Sequence, residues 1–423
     1  MRFSGFDDEW KSFKLSEISE RITRKNKSLE TDRPLTISAQ YGLVDQIEYF
    51  NKIVASKSLK GYYLLNKGEF AYNKSYSNGY PFGAVKRLDD YENGAISTLY
   101  ICFNANDKMN SDLLKEYFET DKWHKEIYKI AVEGARNHGL LNVAVGDFFN
   151  TKHVLPINNH EQEKIAKFLI EINTKIDLLE NKHKAYQDFK KYLMQNIFSQ
   201  KLRFDDNCHY KTKKVKDFLT ESKIEGTDDI NKRLTVKLNL KGITVRESKT
   251  IEKEGATKQF IRKSGQFIYG KQNLHKGAFG IVPKELDGYL SSSDIPSFDF
   301  KGEIEPKWFY YYFSRKSFYE SLESLSTGTG SKRISPKEFL NIKLIVPELK
   351  EQHRIVCLFA KVDEEINGIS NQILQMNRFK KSLLQQMFVV RINWRCNFKL
   401  AKSPSFNKHL LILKNKIIFI IIK

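Results

Sequence analysis

Glu161-Gln162-Glu163-Lys164-Ile165-Ala166-Lys167-Phe168-Leu169-Ile170-Glu171-Ile172 opens a stretch that returns as Glu351-Gln352-His353-Arg354-Ile355-Val356-Cys357-Leu358-Phe359-Ala360-Lys361-Val362. Residues 161–204 and 351–394 align without a gap at an offset of 190, and 11 of the 44 positions are identical. Alternating steps of four and three select Ile165, Leu169, Ile172, Ile176 and Leu179 in the first copy. In the second copy they select Ile355, Phe359, Val362, Ile366 and Ile369. The same steps run on through Leu193 and Ile197, and through Leu383 and Met387. Apolar side chains at this period form one stripe on a helix, and a second stripe must cover it. Two stripes of equal length predict two long helices packed as a coiled coil, each about 50 Å long at 1.5 Å per residue. His183, Lys190 and Lys380 alone interrupt the stripes. The two lysines share a heptad position, where they either fix the register or let the seam fray.

Each helix follows the same signal. Val154-Leu155-Pro156 and Ile345-Val346-Pro347 read as short strands closed by proline, which lacks an N–H and tolerates the start of a helix. Asn159, three residues before Gln162, reads as a capping box.

The duplication reaches outward from the helices. Gly68-Glu69-Phe70-Ala71-Tyr72-Asn73-Lys74 matches Gly265-Gln266-Phe267-Ile268-Tyr269-Gly270-Lys271 at an offset of 197. Phe82-Gly83 is set against Phe279-Gly280 at that offset, and Phe148 against Phe339 at 191. The chain therefore alternates globular segment, helix, globular segment, helix. The expected boundaries are 1–155 and 206–346 for two similar mixed domains, 156–205 and 347–394 for the spacer helices, and 395–423 for a tail. The fold class is α+β, with the two helices antiparallel, because an alternating chain of this kind closes on itself only that way. The domains are then expected at opposite ends of the coil. Leu113–Phe118 and Trp308–Phe313 read as helices that pack into the domain cores. The tail lacks acidic residues and a counterpart in the first copy; it reads either as a natural extension or as out-of-frame translation of AT-rich DNA.

A formal charge of +20 points to an acidic partner, nucleic acid before membrane. Its distribution tempers that argument: the four successive segments up to residues 155, 205, 346 and 423 carry net charges of +1, +2, +8 and +9. Cys102, Cys208, Cys357 and Cys396 lie far apart and show no zinc-ligand or Cys-x-x-Cys spacing. No signal peptide or membrane-spanning run is legible, so a cytoplasmic protein is expected.

The layout resembles the specificity subunits of type I restriction–modification systems over residues 10–394. Leu155-Pro156 with Glu161-Gln162, Val346-Pro347 with Glu351-Gln352, and the paired Gly-x-Phe-x-Tyr-x-Lys strands carry the resemblance. It implies a double-stranded DNA partner, with each domain reading half of a split target. It further implies two methyltransferase subunits docked on the helices and ATP-driven restriction subunits. S-adenosylmethionine, ATP and Mg2+ would then belong to those partners, with none bound by this chain.

Catalytic chemistry is hard to find in the residues. The chain has no Pro-Pro, which an amino-methyltransferase needs within its base-holding Asn/Asp-Pro-Pro-aromatic motif. Gly265 to Gln272 comes within one residue of a Walker A loop, but Gln272 replaces the magnesium-binding hydroxyl. The nine histidines form no metal cluster.

Base reading needs Arg, Lys, Asn or Gln side chains on elements that enter a groove. Two polar loops per domain supply them. In the first domain these are Lys74, Ser75, Tyr76 and Asn78, then Arg136, Asn137 and His138. In the second they are Lys271, Gln272, Asn273, His275 and Lys276, then Lys332 and Arg333. The bland alternative is an ordinary solvated loop. Two rival functions are a coiled-coil scaffold that never touches DNA, and an autonomous DNA enzyme. Polar loops at matching places in both copies argue against the first, and the missing motifs against the second.

Overall fold

A computed structural model of the chain describes all residues except 1, 53, 57, 78, 132–140, 206, 248–254, 256, 329–331 and 389–423. Cys396 and the basic tail therefore lie outside the described residues. The chain divides into two compact units, one of residues 1–170 and 380–423, the other of residues 171–379. Both divisions fall inside the long helices, Asn159–Phe198 and Leu349–Met387.

In the first unit, strands Ser19–Ile22, Ile101–Ala105, Phe70–Asn73 and Ala84–Arg87 form a four-stranded sheet in that order. A second sheet runs Gly42–Asp45, Pro34–Ser38, Asn93–Ile96, Tyr63–Asn66. Strand Lys11–Lys14 pairs with Lys152–Leu155, just before the first long helix. Asn110 starts the helix Ser111–Phe118 by accepting the Leu113 N–H. That helix buries Leu113, Leu114, Tyr117 and Phe118, the face expected from a 3.6-residue period. Phe70 stacks on Phe103 and Tyr72 on Phe148, filling the core between helices and sheet.

The second unit repeats the first sheet strand for strand, while its second sheet is divided into a three-stranded and a two-stranded piece. Leu219–Ser222, Ser297–Phe300, Phe267–Tyr269 and Phe279–Ile281 form its four-stranded sheet in the same order. Tyr210–Lys214 pairs with Lys343–Pro347, and Gln259–Arg262 with Tyr289–Ser292, as their counterparts do. The parallel contact of Pro34 with Ala95 returns as the parallel bridge of Arg233 with Leu290. The register corrects one match. Tyr72 faces Val85 while Tyr269 faces Phe279, so Phe279 corresponds to Val85 at an offset of 194, and the Phe82-Gly83 likeness is coincidence. Gly83 has its own reason: its φ is +80°, and a Cβ there would lie 2.1 Å from the Asn73 carbonyl oxygen. The helix Pro306–Phe313 buries Trp308, Phe309, Tyr311, Tyr312 and Phe313, so its aromatic run is core.

Within the second unit the long helices run antiparallel. The Ser370 hydroxyl meets His183 Nε2 at 2.9 Å, and Lys190 donates to Asp363 at 2.5 Å. Seven residues forward on one helix are thus seven back on the other. The apolar stripe is buried at Ile165, Leu169, Ile172, Ile176, Leu179, Ile355, Phe359, Val362 and Ile369, with Ile366 half-buried. Burial of each such side chain stabilises by about 1.5–3 kcal/mol. The three polar interruptions are all partnered. Asp363 also accepts from Tyr311 Oη at 2.7 Å, and Lys380 lies 3.5 Å from the Glu116 carboxylate in the first unit. His183 and Lys190 are paired across the seam, where polar pairs specify register; Lys380 is held instead by the helix Ser111–Phe118.

The Glu-Gln repeat fastens each helix to its own domain. Gln162 accepts the Asn110 N–H and donates to the carbonyls of Pro156 and Lys108. Gln352 accepts the Glu305 N–H and donates to those of Pro347 and Glu303. Asn110 and Glu305 are the N-caps of equivalent helices, so one amide locks two helix starts together. Gln162 therefore serves no capping box. Asn158, not Asn159, caps the first long helix, its side chain accepting from the N–H groups of His160 and Glu161. Glu161 takes a two-bond contact from Arg2 instead.

Candidate nucleic-acid interface

The inner strands Phe70–Asn73 and Phe267–Tyr269 each run into a polar segment. In the first unit the Leu141 N–H donates to the Lys74 carbonyl at 3.0 Å, and in the second the Ile334 N–H donates to the Lys271 carbonyl at 2.9 Å. One main-chain bond, repeated in both copies, thus ties the two candidate loops of each domain to each other.

In the first unit, Asn73 Oδ1 accepts the Ser75 N–H, and Ser77 and Tyr80 close a tight bridge. Tyr80 donates to Glu119, which also holds Lys86 at 2.6 Å. Burial and Glu119 push the Tyr80 phenol above its usual range. This anchor leaves Tyr76 projecting, 62% exposed, while Lys74 and Ser75 are half-buried. Asn78, Arg136, Asn137 and His138 lie outside the described residues.

In the second unit the segment after Tyr269 is a built turn. Leu274–Lys276 form a 3-10 turn, and Leu274 is fully buried. The plug leaves Gln272 and Lys276 exposed and Lys271, Asn273 and His275 half-buried. His275 Nδ1 is buried without a hydrogen-bond partner among the described residues. Lys332 and Arg333 are both exposed, and both already have acidic neighbours. Lys332 lies 3.6 Å from Glu323, and Arg333 lies 3.2 Å from Asp294. Any anion they take must compete with those carboxylates, which sequence spacing did not reveal.

Among the described residues no group of His, Cys, Asp or Glu could hold a metal ion. His153 is a core histidine between Tyr117 and Thr151, its pKa lowered by burial to about 4. Burial pushes the Cys102 thiol up to about 12, which makes it a poor nucleophile. Among the described residues no helix is long and apolar enough to cross a membrane.

Comparison with known proteins agrees with this construction. Residues 191–376 match the type I restriction modification DNA specificity domain. The MjaVIII type I restriction enzyme specificity subunit of Methanocaldococcus jannaschii is 32% identical over 169 residues, 39% of this chain and 39% of that relative. The matched stretch thus spans about two fifths of the curated relative. The S subunit of the type I restriction–modification system of M. genitalium superposes with a TM-score of 0.55 over 92% of this chain and 100% of that one, at 13% identity. A chain from a structure addressing complex assembly and conformational transition of the type I R-M system gives 0.52 over 91% and 99%, also at 13% identity. At such identities the likeness speaks for the fold. Fold and register define a duplicated α+β protein built on a pair of coiled-coil helices. The likeness to the type I restriction modification DNA specificity domain lies in residues 191–376, and the fold of the chain is similar to that of the M. genitalium S subunit.

Proposed function

We propose that the chain is the DNA-recognition subunit of a type I restriction–modification assembly and carries no catalytic site of its own. Each globular domain reads one short block of a duplex target through its paired loops, and the helix pair sets the unread gap between the blocks. The observation that carries the reading is the repeat. Residues 191–376, which match the DNA specificity domain, enclose the sheet of the second unit, and the first unit repeats that sheet's order. Two methyltransferase subunits would dock on the helices, and restriction subunits would join them; S-adenosylmethionine, ATP and Mg2+ act in those partners. The seam residues are buried within the chain, so a partner would meet the outer helix faces, where Leu178, Phe189, Tyr192 and Leu374 stand exposed.

Phosphate contacts position a protein on DNA and release counterions. The purified chain should therefore bind duplex DNA with an affinity that falls steeply with salt, with a slope near −0.9 per phosphate contact. It should transfer no methyl group from S-adenosylmethionine. A salt-independent affinity would favour the scaffold reading, and robust methyl transfer by the isolated chain would overturn the non-catalytic one.

A further inference from the structure

The two copies differ sharply at one place beside the candidate loops. Ile22 faces Cys102, which also faces Ala71; Ser222 faces Ser297, which also faces Ile268. Ser222 and Ser297 thus occupy the lattice points of Ile22 and Cys102. By the same reasoning Arg262 replaces Leu65 and Ser291 replaces Ile96, through the pairings of Gln259–Arg262 and Tyr63–Asn66. In the first unit Ile22, Leu65, Ile96 and Cys102 are buried in a single hydrophobic cluster. In the second unit all four replacements are polar and equally buried.

Arg262 is 1% exposed. Its guanidinium donates to the hydroxyls of Ser291 and Ser297 and to the carbonyls of Ser222 and Ile295. No carboxylate bonds to it among the described residues; Glu221 acts on it only through its charge, at longer range. Burial lowers its pKa to about 10, so it is charged at neutral pH. A buried charge without a counter-charge is costly, and the first unit builds the same sheet without one.

Arg262 and Ser222 line a cavity of about 510 Å³. Lys271, from the candidate loop, and the exposed Lys337 line it as well. Neither lysine is in an ion pair among the described residues. Glu221 and Lys223 line it too, 3.0 Å apart, and the charge of Glu221 also acts on Arg262. The Ser222 hydroxyl is buried and has no hydrogen-bond partner among the described residues. A cavity lined by four cations, one acid and one idle hydroxyl suits an anion whose oxygens only accept.

We propose that this cavity is a phosphate seat of the second domain, in which Ser222, Lys271 and Lys337 hold one phosphate of the DNA backbone above the charge of Arg262. The proposal rests on the DNA-recognition reading. Arg262 has its donors filled and supplies field; Ser222 and the lysines supply contacts. The Lys271 carbonyl bond to Ile334 makes the rim part of both candidate loops, so the phosphate belongs to a duplex lying across them.

The test uses the full chain, duplex DNA and a salt series. Lys337→Ala should flatten the slope of log affinity against log salt by about 0.9. Ser222→Ala should weaken binding about tenfold, the order of a hydrogen bond to a charged group, with the slope unchanged. Because that hydroxyl lacks a partner, the variant should unfold at the wild-type temperature, which separates a contact from a structural role. Unchanged affinity in Ser222→Ala and an unchanged slope in Lys337→Ala, with wild-type chain binding normally, overturn the seat and leave DNA recognition standing. Stabilisation of the chain by inorganic phosphate, with both DNA readouts unmoved, would assign the cavity to a free anion and overturn the DNA source. Failure of the wild-type chain to bind duplex DNA would sink both readings.

Discussion

Removing one facing heptad from each long helix, Leu179–Ala185 together with Gly368–Leu374, is expected to shorten the unread gap of the DNA target by about three base pairs. Seven helical residues span about 10 Å, and one base step about 3.4 Å. The choice of segments follows from the antiparallel register, in which His183 meets Ser370 and Lys190 meets Asp363. The deleted stretches face each other, so Ile176 continues into Tyr186 and Ile366 into Met376 with the stripe unbroken. Each half-target should keep its sequence. The measurement is the methylated motif in cells carrying the deletion: a shorter gap, or loss of methylation because no site fits, agrees with a ruler. The original gap in a folded variant would show that the helices do not set the distance.

Phe339→Ala should cost the second unit about 3–5 kcal/mol, the usual range for a buried phenylalanine. Phe339 is fully buried and touches the rings of Phe267, Tyr269, Phe298 and Phe313, with centroids 4.7 to 5.7 Å away. For a unit of this size the melting temperature should fall on the order of 10 °C. Two units mean that unfolding is not one two-state event, so the loss should appear in one transition of a calorimetric trace. Phe148→Ala, which unstacks Tyr72, should move the other. A shift below about 1 kcal/mol would mean that the aromatic hub repacks freely.

The long helices were the most legible part of the chain, because a heptad stripe is local, periodic and present twice. Every apolar position it selected from Ile165 to Leu179 is buried. The Glu-Gln marker was visible, but its reason was not. The amide of Gln162 binds groups near residue 110, and only the folded chain brings them together. Asn158 and Asn159 are adjacent and both are good capping residues, so spacing alone chose the wrong one. The polar run after Gly270 reads as an open loop, and the apolar Leu274 within it is the sign of the plug that the fold shows. Arg262 has a sequence signal: the offset of 197 that joins Glu69 to Gln266 also sets Leu65 against Arg262, a charge at an apolar core position. The ion pairs of Lys332 and Arg333 had no sequence signal, since Glu323 and Asp294 approach through tertiary folding.

The central claim is that two similar domains read two separate DNA blocks across a fixed gap. Methylome sequencing of the host with and without this gene tests it most directly. The account predicts one bipartite motif, two short specified blocks flanking a spacer of constant length, methylated only when the gene is present. An unchanged methylome, or loss of methylation at a contiguous motif with no unread gap, would contradict it.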